Sequence, residues 1–337
     1  MIAIEAAGAL TPVGTNLTDT TIGLFTRAQL FEDTGTVDEE GEALSGMKIR
    51  FEDDLAGVER IAAMAHAVVD QATLAVEPSA RIPLILCCPE SGAFAEDGSD
   101  WPADLLADVV AKSAVPIEPV RSRTIARGRA GVFEALGAAL ALLKDPEVPY
   151  CLVGGVDCFV DDARLQGLVD GGRVLTVGNQ DGFVPGEAGA MLLLTHRPGP
   201  SAMAHWLGAA VGDEEACRGS ERPITGAGLQ KAMAKALAQA QLELDGLDCL
   251  AHDFSGEQRY FEELLCASPR LSEGKGSPVT EDPSMSVGEC GAAAGFLTIS
   301  MLAFLHAKGV HQRSSMAVLS CDGHERGAVV LGAIQRR

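Results

Sequence analysis

Two arginines open a helix where elementary electrostatics disfavours them. The stretch TIARGRAGVFEALGAA (124–139) reads as the start of a long apolar helix whose first turns carry Arg127 and Arg129. The partial positive charge of a helix N-terminus favours anions and opposes cations. With Arg121 and Arg123 these residues form the only dense basic cluster of an acidic chain. Such a cluster either binds an anion or supplies partners for acids of the same chain, and the abundance of acids favours the second. Other candidate chemistry is sparse. His252 followed by Asp253 is either an acid/base element or a hydrogen-bonded strand end. Cys321 and His324 lie close together in CDGHERG (321–327). Ser255 lacks the elbow spacing of a hydrolase nucleophile. The nine cysteines form no C-x-x-C pair and no zinc spacing, and most lie in apolar runs, as reduced buried thiols do. Gly182, Gly186 and Gly189 serve a turn and close packing, because no G-x-G-x-x-G follows a strand. No metal and no cofactor is expected.

The elements that position these residues read as an α/β scaffold. Strand-like apolar runs occupy 2–10, 83–88, 150–156, 188–195, 205–212, 247–254, 316–321 and 327–334. Helical patterns lie at about 55–75, 102–113, 130–144, 226–242, 256–267 and 290–308. The strands are continuously apolar rather than alternating, which indicates parallel-type sheets covered by helices. The proline-bearing linker RPGPSA (197–202) divides the chain into 1–198 and 203–337. Each half ends with a helix followed by two closing strands, so the architecture is expected to be pseudo-duplicated.

Composition narrows the function. The formal charge of −21 repels nucleic acid and anionic membrane, so neither is an expected partner. The N-terminus MIAIEAAGALTPVG has no basic segment or cleavage site, and no uncharged run reaches transmembrane length. A cytoplasmic location is expected.

Three segments carry a resemblance. AGALTPVG (7–14) stands where one family has a strand running into a Gly-Thr-Pro-x-Gly turn. YCLVGGVDC (150–158) is followed by DGFVPGEAGAMLLL (181–194), which resembles that family's Gly-Phe-x-x-Gly-Glu-Gly-Ala-Gly stretch. VGECGAAAGFLTISMLAFLHAKG (287–309) resembles its Gly-His-Thr-x-Gly-Ala-Ala-Gly helix start. The family is the β-ketoacyl synthases. The resemblance implies a thiolase-like fold, two pseudo-duplicated βαβαβαββ halves forming a layered αβαβα sandwich. Such enzymes condense acyl groups through a cysteine at a helix N-terminus and two histidines, the helix dipole lowering the thiol pKa.

The resemblance also implies that those chemical positions have changed. Counting back from Gly154-Gly155-Val156 places Arg129 on the nucleophile position, and no cysteine lies between Cys88 and Cys151. The first histidine position falls on Asp253 or, with a one-residue slip, on His252. The second falls on Glu289, and the lysine upstream of it becomes Ser284. The family's Gly-Phe-Gly-Gly-Thr-Asn loop reads Cys321-Asp322-Gly323-His324-Glu325-Arg326. An ion pair of Arg129 with Asp253 or Glu289 is expected to fill the former pocket, since a buried charge is tolerated only when paired.

The implied function is a non-condensing binding, adaptor or chaperone-type homodimer, paired near 83–88 and 119–125, with a further protein partner and no binding of acyl carrier protein. The segment 27–46 and the DFSGE stretch resemble, more weakly, synthase-like proteins associated with type VI secretion effectors. The competing reading is an active acyltransferase, 3-oxoacyl synthase or thioesterase using an atypical nucleophile. Cys321 with His324 is its candidate, because thiolases carry a second catalytic cysteine in a Cys-x-Gly-x-x-x-Gly loop.

Overall fold

Runs of apolar residues separated by amphipathic stretches become buried strands between helices. The computed structural model of the chain describes residues 2–74, 76, 81–94, 100–272 and 278–334. The first half holds β1 (Ile2–Leu10), α1 (Leu17–Phe25), a hairpin of β2 (Phe31–Val37) and β3 (Ala43–Met47), and α2 (Gly57–Thr73). It continues with β4 (Leu84–Cys88), α3 (Trp101–Lys112), β5 (Arg123–Ala126), α4 (Gly131–Leu142), β6 (Tyr150–Cys158), α5 (Asp162–Asp170) and β7 (Glu187–Thr195). The second half holds β8 (Ala204–Asp213), α6 (Ala227–Ala240), β9 (Cys249–His252), α7 (Gln258–Ser272), β10 (Val279–Glu281), α8 (Ser284–Val287), α9 (Ala294–Ala307), β11 (Ser314–Leu319) and β12 (Glu325–Gly332).

Ten strands form one sheet in the order β5-β4-β6-β7-β1-β8-β12-β11-β9-β10. Set the hairpin aside and number each half's five strands in chain order: both halves then read 3-2-4-5-1. Their pairings match as well. β4 runs parallel to β5 and β6, and β7 runs antiparallel to β6 and β1. β9 runs parallel to β10 and β11, and β12 runs antiparallel to β11 and β8. The halves meet where Ile2, Ala3 and Ile4 pair antiparallel with Trp206, His205 and Ala204. The duplication read from element order is thus a duplication of topology.

Alternate faces of these strands build three apolar cores. Leu84, Leu86 and Cys88 face α2 and α3, while Met316, Val318, Ala328 and Val330 face α6 and α7. The opposite faces of both halves, including Ile85, Cys87, Ala317, Leu319 and Val329, close around α4 and α9. The layers are therefore helix, sheet, helix, sheet, helix. Every residue of α9 except Phe304 and Ala307 is buried, and a helix apolar all round belongs in the interior.

The expected strands and helices are present with shifted ends; residue 75, expected as a helix end, lies outside the described residues. The sequence reading assigned no element to α1, the β2–β3 hairpin, α5, β10 or α8, and it placed no strand of its own at β5. The hairpin reads FEDTGTV and ALSGM, too polar for a core-strand pattern. It buries Thr34 and Thr36 and is tied to the body by the Met47 amide donating to the Pro185 carbonyl (2.8 Å). β5 and β10 are short sheet ends, and short polar edge strands carry little apolar signal.

Candidate functional site

Two helix starts face each other in the middle layer. α4 is entered through a 3-10 turn at Gly128–Ala130, and α9 through a 3-10 turn at Gly291–Ala293. Each turn opens on a glycine in the left-handed region, Gly128 with φ +51° and Gly291 with φ +48°. A carboxylate lies where a Cβ would sit, Glu90 at the first and Asp157 at the second. Only glycine admits that approach together with that backbone. Asp157 is fully buried, and its Oδ2 accepts from the Ala292 amide (2.8 Å). Glu289 Oε1 accepts from the Gly291 amide (2.8 Å). Two acids therefore serve the N-terminus of α9, where negative charge is favoured.

Arg129 belongs to the other turn, and its side chain leaves its own helix. It is 9% exposed, and its Nη1 donates to Glu289 Oε2. Nη2 donates to the Asp253 main-chain carbonyl, lies 3.1 Å from Asp253 Oδ1, and donates to Ser320 Oγ (3.1 Å). Asp253 Oδ1 also accepts from the Ser320 amide and hydroxyl, both at 2.9 Å. The structure thus brings Arg129, Asp253 and Glu289 together, with Ser320 as a fourth member that sequence reasoning did not single out.

The charges follow from this arrangement. Burial opposes the Arg129 charge, but Glu289 and Asp253 more than reverse that effect and hold the guanidinium pKa well above its ordinary value. Burial raises Asp253, against the pull of Arg129 and the Ser320 hydrogen bonds. Burial likewise pushes Glu289 up to about 7, with Arg129 again pulling down and Asp253 adding repulsion. One guanidinium serves two buried carboxylates, so the second is incompletely compensated.

His252 does not share this cluster. Its ring stacks on Phe254 (4.3 Å between centroids) and meets the edge of Phe261 (5.3 Å), on the outer side of the strand end. Nδ1 makes no hydrogen bond and lies 3.9 Å from Asp282 Oδ1; burial lowers the pKa of the ring. Neighbouring residues on an extended strand point to opposite faces, so only one of His252 and Asp253 can face Arg129. Nor do Cys321 and His324 form a dyad. The Cys321 thiol is buried, raised in pKa by that burial, and donates to the Glu325 carbonyl (3.4 Å). His324 turns its ring to the Glu214 carbonyl and Cys217. Ser255 donates to Glu257 Oε2 (2.9 Å). Ser284 donates to Asp282 Oδ1 (2.6 Å).

The remaining arginines of the basic cluster find acids of the same chain. Arg121 meets Asp145 (3.4 Å), Arg123 meets Glu134 (3.4 Å), and Arg127 meets Glu325 (3.0 Å). All three remain at least partly exposed.

A second ionic layer covers the Arg129 cluster. Tyr260 donates to Asp322 Oδ1 (2.7 Å), and Arg173 bridges Asp322 (2.8 Å) and Glu257 (2.9 Å). Arg164 bonds Asp157 and stacks on Phe159, its guanidinium carbon 4.4 Å from the ring centroid. Outside Glu289 this layer leaves a groove of about 320 Å³ lined by Arg164, Arg173, Phe159, Phe183 and Asp322. The loop 181–190 is locked by Glu187, which accepts from Arg60 Nε (2.6 Å) and the Ile49 amide (2.6 Å) in the interior. Sequence reading missed the roles of Arg164, Arg173, Tyr260, Glu257 and Asp322. They come from distant parts of the chain, and no local spacing links them. Among the described residues, no group of three or more His, Cys, Asp or Glu could hold a metal ion, and no helix is long and apolar enough to cross a membrane.

No family model and no curated protein matches the chain by sequence. Solved structures match along its whole length. The ishigamide ketosynthase/chain length factor superimposes with a TM-score of 0.78 at 14% identity, covering 99% of both chains. A type II polyketide synthase acyl-carrier protein in complex with its ketosynthase gives 0.79 at 14% identity and the same coverage. The ketosynthase ApeO in complex with its chain length factor ApeC, from Xenorhabdus doucetiae, gives 0.75 at 16% identity, covering 99% of this chain and 98% of that one. With its duplicated 3-2-4-5-1 sheet and paired helix starts, the chain has the thiolase-like fold of the ketosynthases and chain length factors.

Proposed function

We propose that this protein is a non-condensing member of the ketosynthase-like fold that acts as a binding or adaptor subunit rather than as an acyl-transferring enzyme. The observation that carries the reading is Arg129, its side chain largely enclosed at the turn before α4 and bonded to both Asp253 and Glu289. A condensing site needs a thiol that becomes a thiolate, together with neutral or cationic donors for the developing oxyanion. Here a guanidinium and two carboxylates occupy the space between the helix starts. The carboxylates would repel an enolate, and the guanidinium is already engaged by them.

The groove outside Glu289 remains, but its arginines are satisfied by Asp157, Glu257 and Asp322. It therefore offers an acyl thioester neither a nucleophile nor a free cation. β5 ends the sheet beside an apolar groove of about 490 Å³ lined by Leu106, Val110 and Pro119. An unpaired strand edge beside apolar surface is a template for a second chain, and we take a twofold homodimer as its form. Two of the structural neighbours are ketosynthase and chain length factor assemblies, which supports pairing between chains of this fold. The reduced, mostly buried cysteines support a cytoplasmic location. The link to type VI secretion effectors finds no support in these neighbours and is not part of the proposal.

Mass spectrometry of the protein after incubation with acyl-CoA and with acyl-loaded carrier protein tests the reading. An unmodified mass is expected. A stable acyl adduct, or release of a β-ketoacyl product, would overturn it.

A further inference from the structure

The loop after β8 and the loop between β11 and β12 place a thiol against an oriented imidazole, away from the Arg129 cluster. His324 Nδ1 lies 3.0 Å from the Glu214 main-chain oxygen. A carbonyl oxygen only accepts, so Nδ1 carries the proton and Nε2 of the neutral ring presents a lone pair. That nitrogen lies 3.8 Å from Cys217 Sγ. The two loops are fixed to each other by main-chain bonds, with the Glu214 amide donating to the His324 carbonyl (2.7 Å) and the Arg218 amide donating to the Asp322 carbonyl (3.1 Å). Glu214 anchors its loop from inside, accepting from the Gly228 amide (2.9 Å). Nucleophile, base and orienting acceptor are thus present in sequence.

The other thiols differ. Cys87, Cys88, Cys151, Cys158, Cys249, Cys290 and Cys321 are buried, and burial raises the pKa of each. Cys217 is partly exposed and His324 is exposed, so a reagent in solvent can reach the pair. Acyl transfer would also require main-chain amides aimed at a carbonyl oxygen. The amides on both sides are committed, Ala216 to Glu214 Oε1 (3.3 Å) and Arg218 to Asp322. Attack on a disulfide requires no such donors, because its leaving group is a thiolate.

We propose that Cys217 is a reversible S-thiolation site, with His324 as its base and a low-molecular-weight disulfide as its substrate. The Cys217 thiol passes its proton to His324 Nε2, and the thiolate attacks one sulfur of the disulfide. That S–S bond breaks, a mixed disulfide forms on Cys217, and the departing thiolate takes the proton back from His324. The inference does not depend on the proposed function.

The test uses the full-length protein with oxidised glutathione as probe, followed by peptide mapping over time. Cys217 is expected to take up the adduct before Cys266, the other partly exposed thiol. His324→Gln is expected to slow the Cys217 reaction about tenfold or more near neutral pH while leaving Cys266 unchanged. Comparison of the two cysteines within the unmodified chain requires no variant, so a folding defect in His324→Gln cannot obscure the result. Equal rates at Cys217 and Cys266 would overturn the proposal, as would a rate unaffected by His324→Gln in a folded variant. Acylation of Cys217 by acyl-CoA without thiolation by the disulfide would overturn its substrate assignment.

Discussion

Arg129, in the 3-10 turn that opens α4, reaches Glu289, two residues before the 3-10 turn that opens α9, so each charge neutralises a residue of the opposite half of the duplication. The helix dipole at α4 disfavours a cation by about 0.3–1 kcal/mol. That cost is small against contact with two buried carboxylates, one of which, Glu289, also accepts from the first amide of the turn opening α9. The arginine that looks misplaced along one helix is well placed between two.

Removal of the cation should leave two buried acids uncompensated. Arg129→Met is expected to lower stability by about 3–5 kcal/mol in urea denaturation. The triple variant Arg129→Met, Asp253→Asn, Glu289→Gln should lose less than the single one, because it leaves no orphan charge. If the single variant is as stable as the wild type, the cluster contributes nothing. Arg129→Cys should likewise be destabilised and show no condensation.

Stability should depend on pH through Glu289. Burial raises its folded-state pKa from 4.5 to about 7. The folded chain therefore binds the proton more tightly than the unfolded chain, and this contribution is present below about pH 4.5 and fades as pH rises to about 7. Relative to Glu289→Gln, the wild type should gain about 1–3 kcal/mol between about pH 7.5 and about pH 4.5. Parallel slopes for the two proteins across that window would refute the coupling.

Assembly is tested at the β5 edge. At micromolar concentration the chain is expected to sediment as a dimer. Ala141→Arg on the exposed face of α4, or Val120→Arg at a side chain 90% exposed beside β5, should shift it to monomer with an unchanged circular dichroism spectrum. A monomeric wild type would remove the homodimer from the proposed function.

Binding of an acidic acyl carrier protein is expected to be undetectable at physiological salt. The chain carries −21, and the arginines that could attract an acidic partner already face Asp145, Glu134 and Glu325. A titration giving micromolar affinity would reverse this expectation.

Much of this molecule could be read along the chain. Continuous apolar strands such as AGAMLLLT and the largely apolar α9 announce their burial by composition, and the resemblance supplied the layers. Arg129 and Glu289 were found because they stand at motif positions next to glycines, and Asp253, with His252 as its alternative, because it ends a core strand of the resemblance. Tyr260, Arg173 and Asp322 were not, since a phenol on a helix and a guanidinium and a carboxylate on two separate loops have no common spacing. His324 was grouped with Cys321 by proximity in sequence, yet the antiparallel return of β12 along β8 turns it toward Cys217 instead.

The enclosure of α9 by both halves bears on how the chain is made. While it emerges from the ribosome, β1 and β7 are complete by Thr195, but α9, which packs on their inner face, ends only at Ala307. At translation rates of about 5–20 residues per second, that face stays uncovered on the order of ten seconds. The boundary near residue 200 thus separates two repeats of topology, and neither half is expected to fold alone. Expressed separately, the first half should bind chaperones or precipitate, and should be recovered in soluble form only when the second half is supplied with it.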